Sequence, residues 1–190
     1  MSTSISASSL PGQTLRPDPN ARNPVLNEGL KTVSLLFSVT SHLRAQNLFG
    51  GELLARMDRA ASIAAGRHSR RITVTASVNH VAFNLAIPLG SVVTVEAAVS
   101  RAYNTSMEVY IDVWIEDRYN GKRTKANEAI YTFVAVDETG KPTEVPELVP
   151  ETPLEITRFE GALRRKQLSL VLAGKMKPDN ATELKALFTK

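Results

Sequence analysis

One carboxylate, Asp58, lies inside a segment whose other residues form the apolar pattern of a buried helix. The segment NLFGGELLARMDRAASIAAGRH runs from Asn47 to His68. At about 100° per residue, its apolar residues share one helical face, and Asp58 lies at the edge of that face. They are Leu53, Leu54, Met57, Ala61, Ala64 and Ala65. A carboxylate placed there loses part of its hydration, which is typical of a general base or a nucleophile.

Asp58 has no cationic partner within its own helix. The positions that would face it, 54, 55, 61 and 62, are Leu, Ala, Ala and Ser. Any partner must therefore come from another segment. Two possibilities stay open, because Asp58 could serve catalysis or could bind a backbone amide or an arginine in a structural role.

Two adjacent glycines, Gly50 and Gly51, open the predicted helix. The first N–H groups of a helix lack internal partners and carry a partial positive charge, and glycine lets a ligand oxygen approach the backbone closely. The pair is therefore a candidate oxyanion hole. The alternative is that both glycines serve only a tight turn into the helix.

The sequence lacks the motifs of several other enzyme classes. It has no cysteine, no G-x-S-x-G elbow, no P-loop, no strand-linked G-x-G-x-x-G and no H-E-x-x-H. His42, His68 and His80 have no metal-ligand spacing, and we expect each to be a surface or hydrogen-bonded residue. We therefore predict no metal site, and serine hydrolases, nucleotidases, dehydrogenases and zincins lack support.

Composition limits the partners and the location. The 190 residues are 43% hydrophobic, which suits one globular domain with tails. No apolar run approaches the roughly 18 residues of a membrane span, and we recognise no secretion signal, so we expect a cytoplasmic protein. The net charge of +4 is modest and the basic residues are not interleaved with aromatic ones. We therefore expect a small polyanionic ligand rather than nucleic acid.

Hydrophobic periodicity predicts the order strand, helix, four strands. Strands are predicted over 31–40, 72–80, 91–103, 106–117 and 124–136, with the helix between the first two. In 106–117, apolar residues alternate with Glu108, Tyr110, Asp112 and Trp114, which indicates a half-buried strand. The predicted fold class is α+β, with a long antiparallel five-strand sheet that can wrap around one central helix.

We divide the chain into three parts. Residues 1–27 are predicted to be a flexible leader, 28–150 to form the domain, and 151–190 to form a helical C-terminal extension. The extension carries Arg164, Arg165 and Lys166 in a row. This run is either the solvated face of a covering helix or a docking site for phosphates.

Four stretches of the sequence together resemble the hotdog-fold acyl-CoA thioesterases of the YciA type, also called acyl-CoA hydrolases. They are the helix segment above, TASVNHVAF, IPLGSVVTVEAAVSRAYNTSMEVYIDVWIED and YTFVAVDETGKP. The similarity extends from about Thr32 to Pro146. Its specific features are an aspartate seven residues after the second of two glycines, a Pro-x-Gly before a long strand, a Thr-Ser-Met turn and a final Phe-x-x-Val-Asp.

The resemblance implies hydrolysis of acyl-coenzyme A to coenzyme A and a fatty acid, without a metal or prosthetic group. It implies that Asp58 is the general base or nucleophile, and that the backbone N–H of Gly51, beside Gly50, polarises the thioester carbonyl. It also implies that the pantetheine and nucleotide of coenzyme A bind near the turn formed by Asn104, Thr105 and Ser106. The cations available to the phosphates are Arg101, Lys122, Arg123 and the run 164–166.

The sequence departs from this family at one point. Members commonly have Asn-x-x-Gly just upstream of the helix, where this chain has Leu43 and Gln46. Asn47 or Gln46 is a candidate replacement for the assisting asparagine. The departure keeps open a second function, a hotdog domain that binds acyl-coenzyme A as a sensor or scaffold without turnover. A hydratase of the same fold would need a histidine with an acidic partner, and His68 has none nearby in sequence.

Helix geometry predicts that the site is shared between two chains. Gly51 and Asp58 lie roughly 10 Å apart along one helix, at about 1.5 Å per residue, so one thioester carbonyl cannot meet both. Two such helices, antiparallel across a twofold axis, would bring Gly51 of one chain near Asp58 of the other, as the resemblance also implies. We predict a homodimer as the minimal active unit, a trimer of dimers as a possible larger assembly, and no nucleic-acid or membrane partner.

Overall fold

The strands alternate apolar and polar residues, which gives a sheet one face that must be covered. The structure, a computed structural model, describes residues 32–39 and 47–188. The strands are β1 (Thr32–Ser38), β2 (Ile72–Phe83), β3 (Val92–Ala102), β4 (Ser106–Glu116) and β5 (Arg123–Val136). The helices are α1 (Gly50–Ser69), α2 (Pro153–Leu172) and α3 (Thr182–Lys185), with a 3-10 turn at Pro178–Asn180.

One antiparallel sheet contains all five strands in the order β1-β3-β4-β5-β2. Helix α1 contacts every strand of this sheet. The predicted α+β class and the sheet around one central helix are therefore confirmed. Strand β2 lies at one edge of the sheet, with β5 on its only paired side.

Small side chains bring α1 close to the sheet. Met57, Ala60, Ala61 and Ala65 are fully buried. The inward-facing partners come from the central strands and include Val93, Val95, Val109, Ile111, Tyr131 and Phe133. The predicted apolar face gains Ala60 because strands approach the helix from several sides, whereas Leu54 at the border of the face is only partly buried.

Helix α2 covers the part of the outer sheet face that β3 and β4 form. Glu108 is 3% exposed and Asp112 is 7% exposed, so the prediction of a half-buried strand is wrong at these two residues. Arg165 binds Glu108 at 2.6 Å, and Arg158 binds Asp112 at 2.6 Å. Buried carboxylates need such partners, because an unpaired charge in the interior is strongly destabilising.

The predicted helical extension agrees with α2 and α3. A capping box between Thr152 and Glu155, with Pro153 as the first helical residue, fixes the start of α2. The predicted leader and the positions His42, Leu43 and Gln46 lie outside the described residues, and the domain boundaries stay a prediction. Within residues 32–39 and 47–188, none of the helices combines the length and apolar composition that a membrane crossing requires.

Candidate active site

A threonine hydroxyl holds the Asp58 carboxylate. Asp58 lies on the side of α1 that faces β2, where Thr75 donates a hydrogen bond to Oδ1 of Asp58 at 2.8 Å. Within the described parts of the chain, neither an arginine nor a backbone amide binds this carboxylate, and Oδ2 accepts no hydrogen bond. The carboxylate is therefore oriented through one oxygen, and the other oxygen is available for chemistry.

A buried tyrosine lies beside Asp58. Tyr131 is 1% exposed, and its hydroxyl is 3.4 Å from the carbonyl oxygen of Leu54, one helical turn before Asp58. Burial, and to a smaller extent the negative charge of Asp58, raises the pKa of Tyr131 to about 12. The hydroxyl therefore keeps its proton at neutral pH. No local sequence pattern marks Thr75 or Tyr131, because both reach the site through strand pairing.

The N-terminus of α1 presents two free backbone donors. Phe49 at the N-cap position makes no side-chain cap, and its carbonyl accepts from the N–H groups of Glu52 and Leu53. Among the described residues, nothing accepts a hydrogen bond from the N–H of Gly50 or Gly51. These donors and the positive end of the helix are suited to an oxyanion.

Of the two glycines, lack of space explains Gly51, whereas a Cβ at Gly50 would make only an ordinary contact. Neither has a positive φ, so a tight turn does not require them. A Cβ at Gly51 would lie 2.6 Å from the Phe49 ring, and a Cβ at Gly50 would lie 3.5 Å from the Phe83 ring. A side chain at Gly51 would therefore displace Phe49 and crowd the free N–H groups.

A mostly apolar cleft of about 330 Å³ adjoins this helix start. Gly50, Leu53 and Phe83 contribute to its walls, and the amides of Asn47 and Asn127 also line it. The backbone of Asn47 bridges to Pro88, which fixes the approach to the helix. The structure therefore brings the predicted residues Asn47 and Gly50 together in one cleft.

The predicted coenzyme A turn joins β3 to β4. The carbonyl oxygen of Asn104 accepts from Val145 at 3.0 Å, that of Thr105 accepts from Ala135 at 2.9 Å, and that of Ser106 accepts from Tyr103 at 2.7 Å. Asn104 is exposed, whereas Thr105 and Ser106 are half-buried. The backbone of the turn is thus fixed.

Arg101 faces α2. Its guanidinium donates to the carbonyl oxygen of Phe159 at 3.1 Å and lies 4.1 Å from the centre of the Phe159 ring. One of its donors is therefore already used by the C-terminal helix. A role in binding phosphate would have to rely on the remaining donors.

Strand register places the helix start and the turn at opposite ends of the sheet. Gly50 packs on Phe83, which pairs with Asn127 in β5, whereas Ser106 pairs with Val134 in β5. Asn127 and Val134 are separated by roughly 23 Å along the strand. Thr75, the partner of Asp58, pairs with Phe133. Asp58 and the turn therefore lie toward one end, and the free N–H groups lie at the other.

The basic run of α2 is mostly engaged with the sheet. Arg165 pairs with Glu108, and the Lys166 ammonium lies 3.4 Å from the centre of the Tyr103 ring. Burial, with a smaller contribution from Arg101, lowers the pKa of Lys166. These contacts favour the covering-helix interpretation over a phosphate-docking site.

His68, in the last turn of α1, is hydrogen-bonded to a backbone carbonyl. It is 5% exposed, and its Nε2 lies 2.9 Å from the carbonyl oxygen of Pro146. Burial lowers the pKa of His68, although the Pro146 contact acts in the opposite direction. The histidine is thus bound to a carbonyl rather than to the acidic partner that a hydratase site would need.

Comparison with known proteins identifies the family. The Thioesterase superfamily model matches residues 45–122, which contain α1 and the strands β2, β3 and β4. YkhA of Bacillus subtilis, named as an uncharacterized acyl-CoA thioester hydrolase, is 44% identical over 118 residues, which are 62% of this chain and 69% of that protein. The chain belongs to the thioesterase superfamily. The resemblance read from the sequence is therefore confirmed.

Two solved structures of this family are similar to the chain. An apo-hexameric acyl-CoA thioesterase has a TM-score of 0.74 at 34% identity, over 76% of this chain and 94% of that one. An acyl-CoA hydrolase from Staphylococcus aureus, in complex with butyryl coenzyme A, coenzyme A and coenzyme A disulfide, has a TM-score of 0.71 at 31% identity, over 83% of this chain and 96% of that one. The hotdog fold is thus confirmed.

The Staphylococcus aureus enzyme has also been studied with an asparagine, an aspartate or a threonine replaced by alanine. Its aspartate and threonine are 17 positions apart, which is the separation of Asp58 and Thr75. Its asparagine precedes the aspartate by 15 positions, and Leu43 stands at that separation from Asp58. The aspartate and threonine are thus matched in type and spacing, and the asparagine is not.

Proposed function

We propose that the protein hydrolyses the thioester of acyl-coenzyme A to free coenzyme A and a carboxylic acid. The observation that carries this proposal is the Thr75-oriented carboxylate of Asp58 on the same helix whose first two N–H groups are free. A carboxylate base or nucleophile and an oxyanion hole are the two elements that acyl transfer to water needs. The activity named for the superfamily relatives is the same.

The proposed reaction divides the work between these groups. Oδ2 of Asp58 either takes a proton from the water that attacks the carbonyl carbon or attacks that carbon itself. The carbonyl oxygen becomes an oxyanion, which the N–H of Gly51 stabilises. When the tetrahedral intermediate collapses, the carbon–sulfur bond breaks, and the thiolate of coenzyme A leaves and is protonated. In the nucleophilic route, water then hydrolyses the acyl–aspartate anhydride.

Two chains form each site in this proposal. Asp58 and Gly51 of one chain are too far apart for one carbonyl, and they lie toward opposite ends of the sheet. The unpaired edge of β2 carries exposed apolar residues, Ile72, Val74, Val78 and Phe83, and such an edge is normally covered in a native protein. A twofold dimer would cover it and bring Gly51 near the partner's Asp58. Hexameric relatives support further association of dimers.

Coenzyme A binding is proposed for the turn Asn104, Thr105 and Ser106, together with Gly50 and Arg101. Asn47 is proposed to assist at the carbonyl, because it lines the cleft at the helix start. The turn lies at the same end of the sheet as Asp58. In a dimer, the nucleotide would therefore lie beside Asp58 of one chain while the acyl group reaches the helix start of the other.

The second candidate function is binding of acyl-coenzyme A without turnover. It is favoured by Leu43, which stands where the Staphylococcus aureus enzyme has an asparagine. Thiol release from palmitoyl-, butyryl- and acetyl-coenzyme A by the purified protein separates the two. We expect release with at least one substrate, and its loss in Asp58→Asn. Saturable binding of all three without any release would contradict hydrolysis.

A single turnover in H₂¹⁸O would place the label on the Asp58 side chain only in the nucleophilic route.

A further inference from the structure

Asn127 is a buried polar residue in a row of inward-facing residues that is otherwise almost wholly apolar. It lies on β5, in phase with Ala129, Tyr131 and Phe133, and it is 1% exposed. Its Oδ1 accepts a long hydrogen bond of 3.4 Å from the N–H of Leu85. Within residues 32–39 and 47–188, its Nδ2 donates to nothing. Nδ2 is not one of the fully enclosed side-chain atoms that lack a partner among the described residues, so a hydrogen-bond acceptor can still reach it.

The unpaired end of Asn127 belongs to the cleft beside the start of α1. The cleft is lined by Asn127 and Gly50 together, and its walls are side chains such as Leu53, Phe83 and Ile87. Leu53 is 2% exposed and Ile87 is 3% exposed, so these residues and Asn127 form the floor. Gly51, in contrast, is exposed, and its neighbour Gly50 lines the cleft. Among the described residues that line the cleft, none carries a charge.

This arrangement has a consequence for the choice of substrate, which rests on the proposed function. If a thioester carbonyl is held by the free N–H groups, the acyl chain extends down into the apolar cleft. A plain hydrocarbon chain would displace water from the floor and leave Nδ2 of Asn127 unpaired, which costs binding free energy. A chain with an oxygen at that depth would replace the water and accept the hydrogen bond. Sites that hydrogen-bond a substrate group discriminate strongly against the analogue that lacks it.

We propose that Asn127 is a specificity determinant that donates a hydrogen bond to a neutral oxygen carried by the acyl chain, and that short hydroxyacyl- or oxoacyl-coenzyme A esters are the preferred substrate class. A carboxylate on the acyl chain would find no cation among the described lining residues, so we expect such a chain to bind less well than a neutral one. Plain short acyl chains remain substrates of lower efficiency.

The test compares substrates of equal chain length. Thiol release is measured for butyryl-, 3-hydroxybutyryl-, 4-hydroxybutyryl- and acetoacetyl-coenzyme A with the wild-type protein and with Asn127→Leu, which keeps the number and branching of the side-chain heavy atoms and removes both amide functions. We expect the wild type to favour at least one oxygenated ester over butyryl-coenzyme A by about tenfold in kcat/KM. In Asn127→Leu, this preference should disappear and butyryl-coenzyme A should be cleaved at least as well as by the wild type. For each ester, kcat/KM of Asn127→Leu is divided by kcat/KM of the wild type. This ratio cancels the differences in intrinsic reactivity among the esters.

The outcomes separate this inference from the proposed function. Equal efficiency of the wild type on all four esters would overturn the inference and leave hydrolysis standing, even if Asn127→Leu failed to fold. An equal loss on all four esters in a folded Asn127→Leu would also overturn it, since the amide would then act at the carbonyl or in packing. No thiol release from any ester, with palmitoyl- and acetyl-coenzyme A also inert, would overturn the proposed function and this inference with it.

Discussion

The beginning and the middle of α1 present opposite chemistry. At the beginning, Gly50 and Gly51 offer N–H donors beside a cleft whose described walls carry no charge. In the middle, Asp58 offers a carboxylate that Thr75 orients and whose charge helps to raise the pKa of Tyr131. Both regions are on one helix, yet they are roughly 10 Å apart. This separation is the reason for our proposal that each helix supplies half of two sites rather than one whole site.

The largest effect is expected at the carboxylate. Asp58→Asn keeps the hydrogen bond acceptor for Thr75 but removes the base or nucleophile, so kcat should fall by about 10²-fold or more, which corresponds to about 2.7 kcal/mol. The measurement is thiol release from the best acyl-coenzyme A substrate, with thermal unfolding as the control for folding. Near wild-type turnover in a folded variant would remove Asp58 from the chemistry.

Helix α2 belongs to neither half of the site, so a change in it should affect stability instead of turnover. Arg165→Met removes the partner of the buried Glu108, and we expect the free energy of unfolding to fall by about 2 kcal/mol, at the low end for a broken buried pair because the Arg165 side chain is 30% exposed. Chemical denaturation measures this change. The matched control, Glu108→Leu with Arg165→Met, should recover part of the loss. A tenfold fall in kcat for an Arg165→Met protein that is fully folded would show that α2 contributes to catalysis.

The hydroxyl that orients Asp58 should have a smaller effect than the carboxylate. Thr75→Val removes the donor to Oδ1, and we expect kcat to fall about tenfold, or about 1.4 kcal/mol, with KM little changed. Thr75→Ser should retain most of the activity. Thr73→Val, on the same strand, is the matched control for loss of a threonine hydroxyl. Equal effects at Thr73 and Thr75 would show that strand stability, rather than orientation of Asp58, is being measured.

The smallest effect is expected on the covering helix. Arg164→Glu reverses one charge of the basic run without breaking the Arg165–Glu108 pair. KM for acyl-coenzyme A, and its dependence on salt, should change by less than about twofold, because exposed charges are screened beyond about 8 Å at physiological ionic strength. A severalfold rise in KM that vanishes at high salt would instead make the run a phosphate contact.

Most of the fold follows from local pattern. The period-two alternation of β4 correctly predicts its inward row, and paired glycines correctly mark the start of α1. The burial of Glu108 and Asp112 does not follow from that alternation. Their partners, Arg165 and Arg158, are 57 and 46 residues away in sequence. Only the docking of α2 makes the outer face of β4 an interior surface.

The candidate site likewise contains residues that the sequence reveals and residues that only the strand pairing reveals. Asp58, Gly50 and Gly51 stand out because a carboxylate interrupts an apolar stripe and two glycines precede it. Thr75 and Asn127 have ordinary strand neighbours, and their importance depends on register, which a single sequence does not specify. Residues on one helix can be related by spacing, whereas residues on different strands need the pairing itself.

Mixing two inactive variants tests the shared site most directly. Asp58→Asn lacks the carboxylate, and Gly51→Val displaces Phe49 and crowds the oxyanion donors. After each variant is shown to be folded and inactive, the two are mixed under conditions of demonstrated subunit exchange, and thiol release is followed. The account predicts recovery of up to about one working site per mixed dimer, because one interface then pairs an intact Gly51 with an intact partner's Asp58. No recovery despite exchange would mean that one chain supplies both groups, which would contradict the division of α1 between two sites.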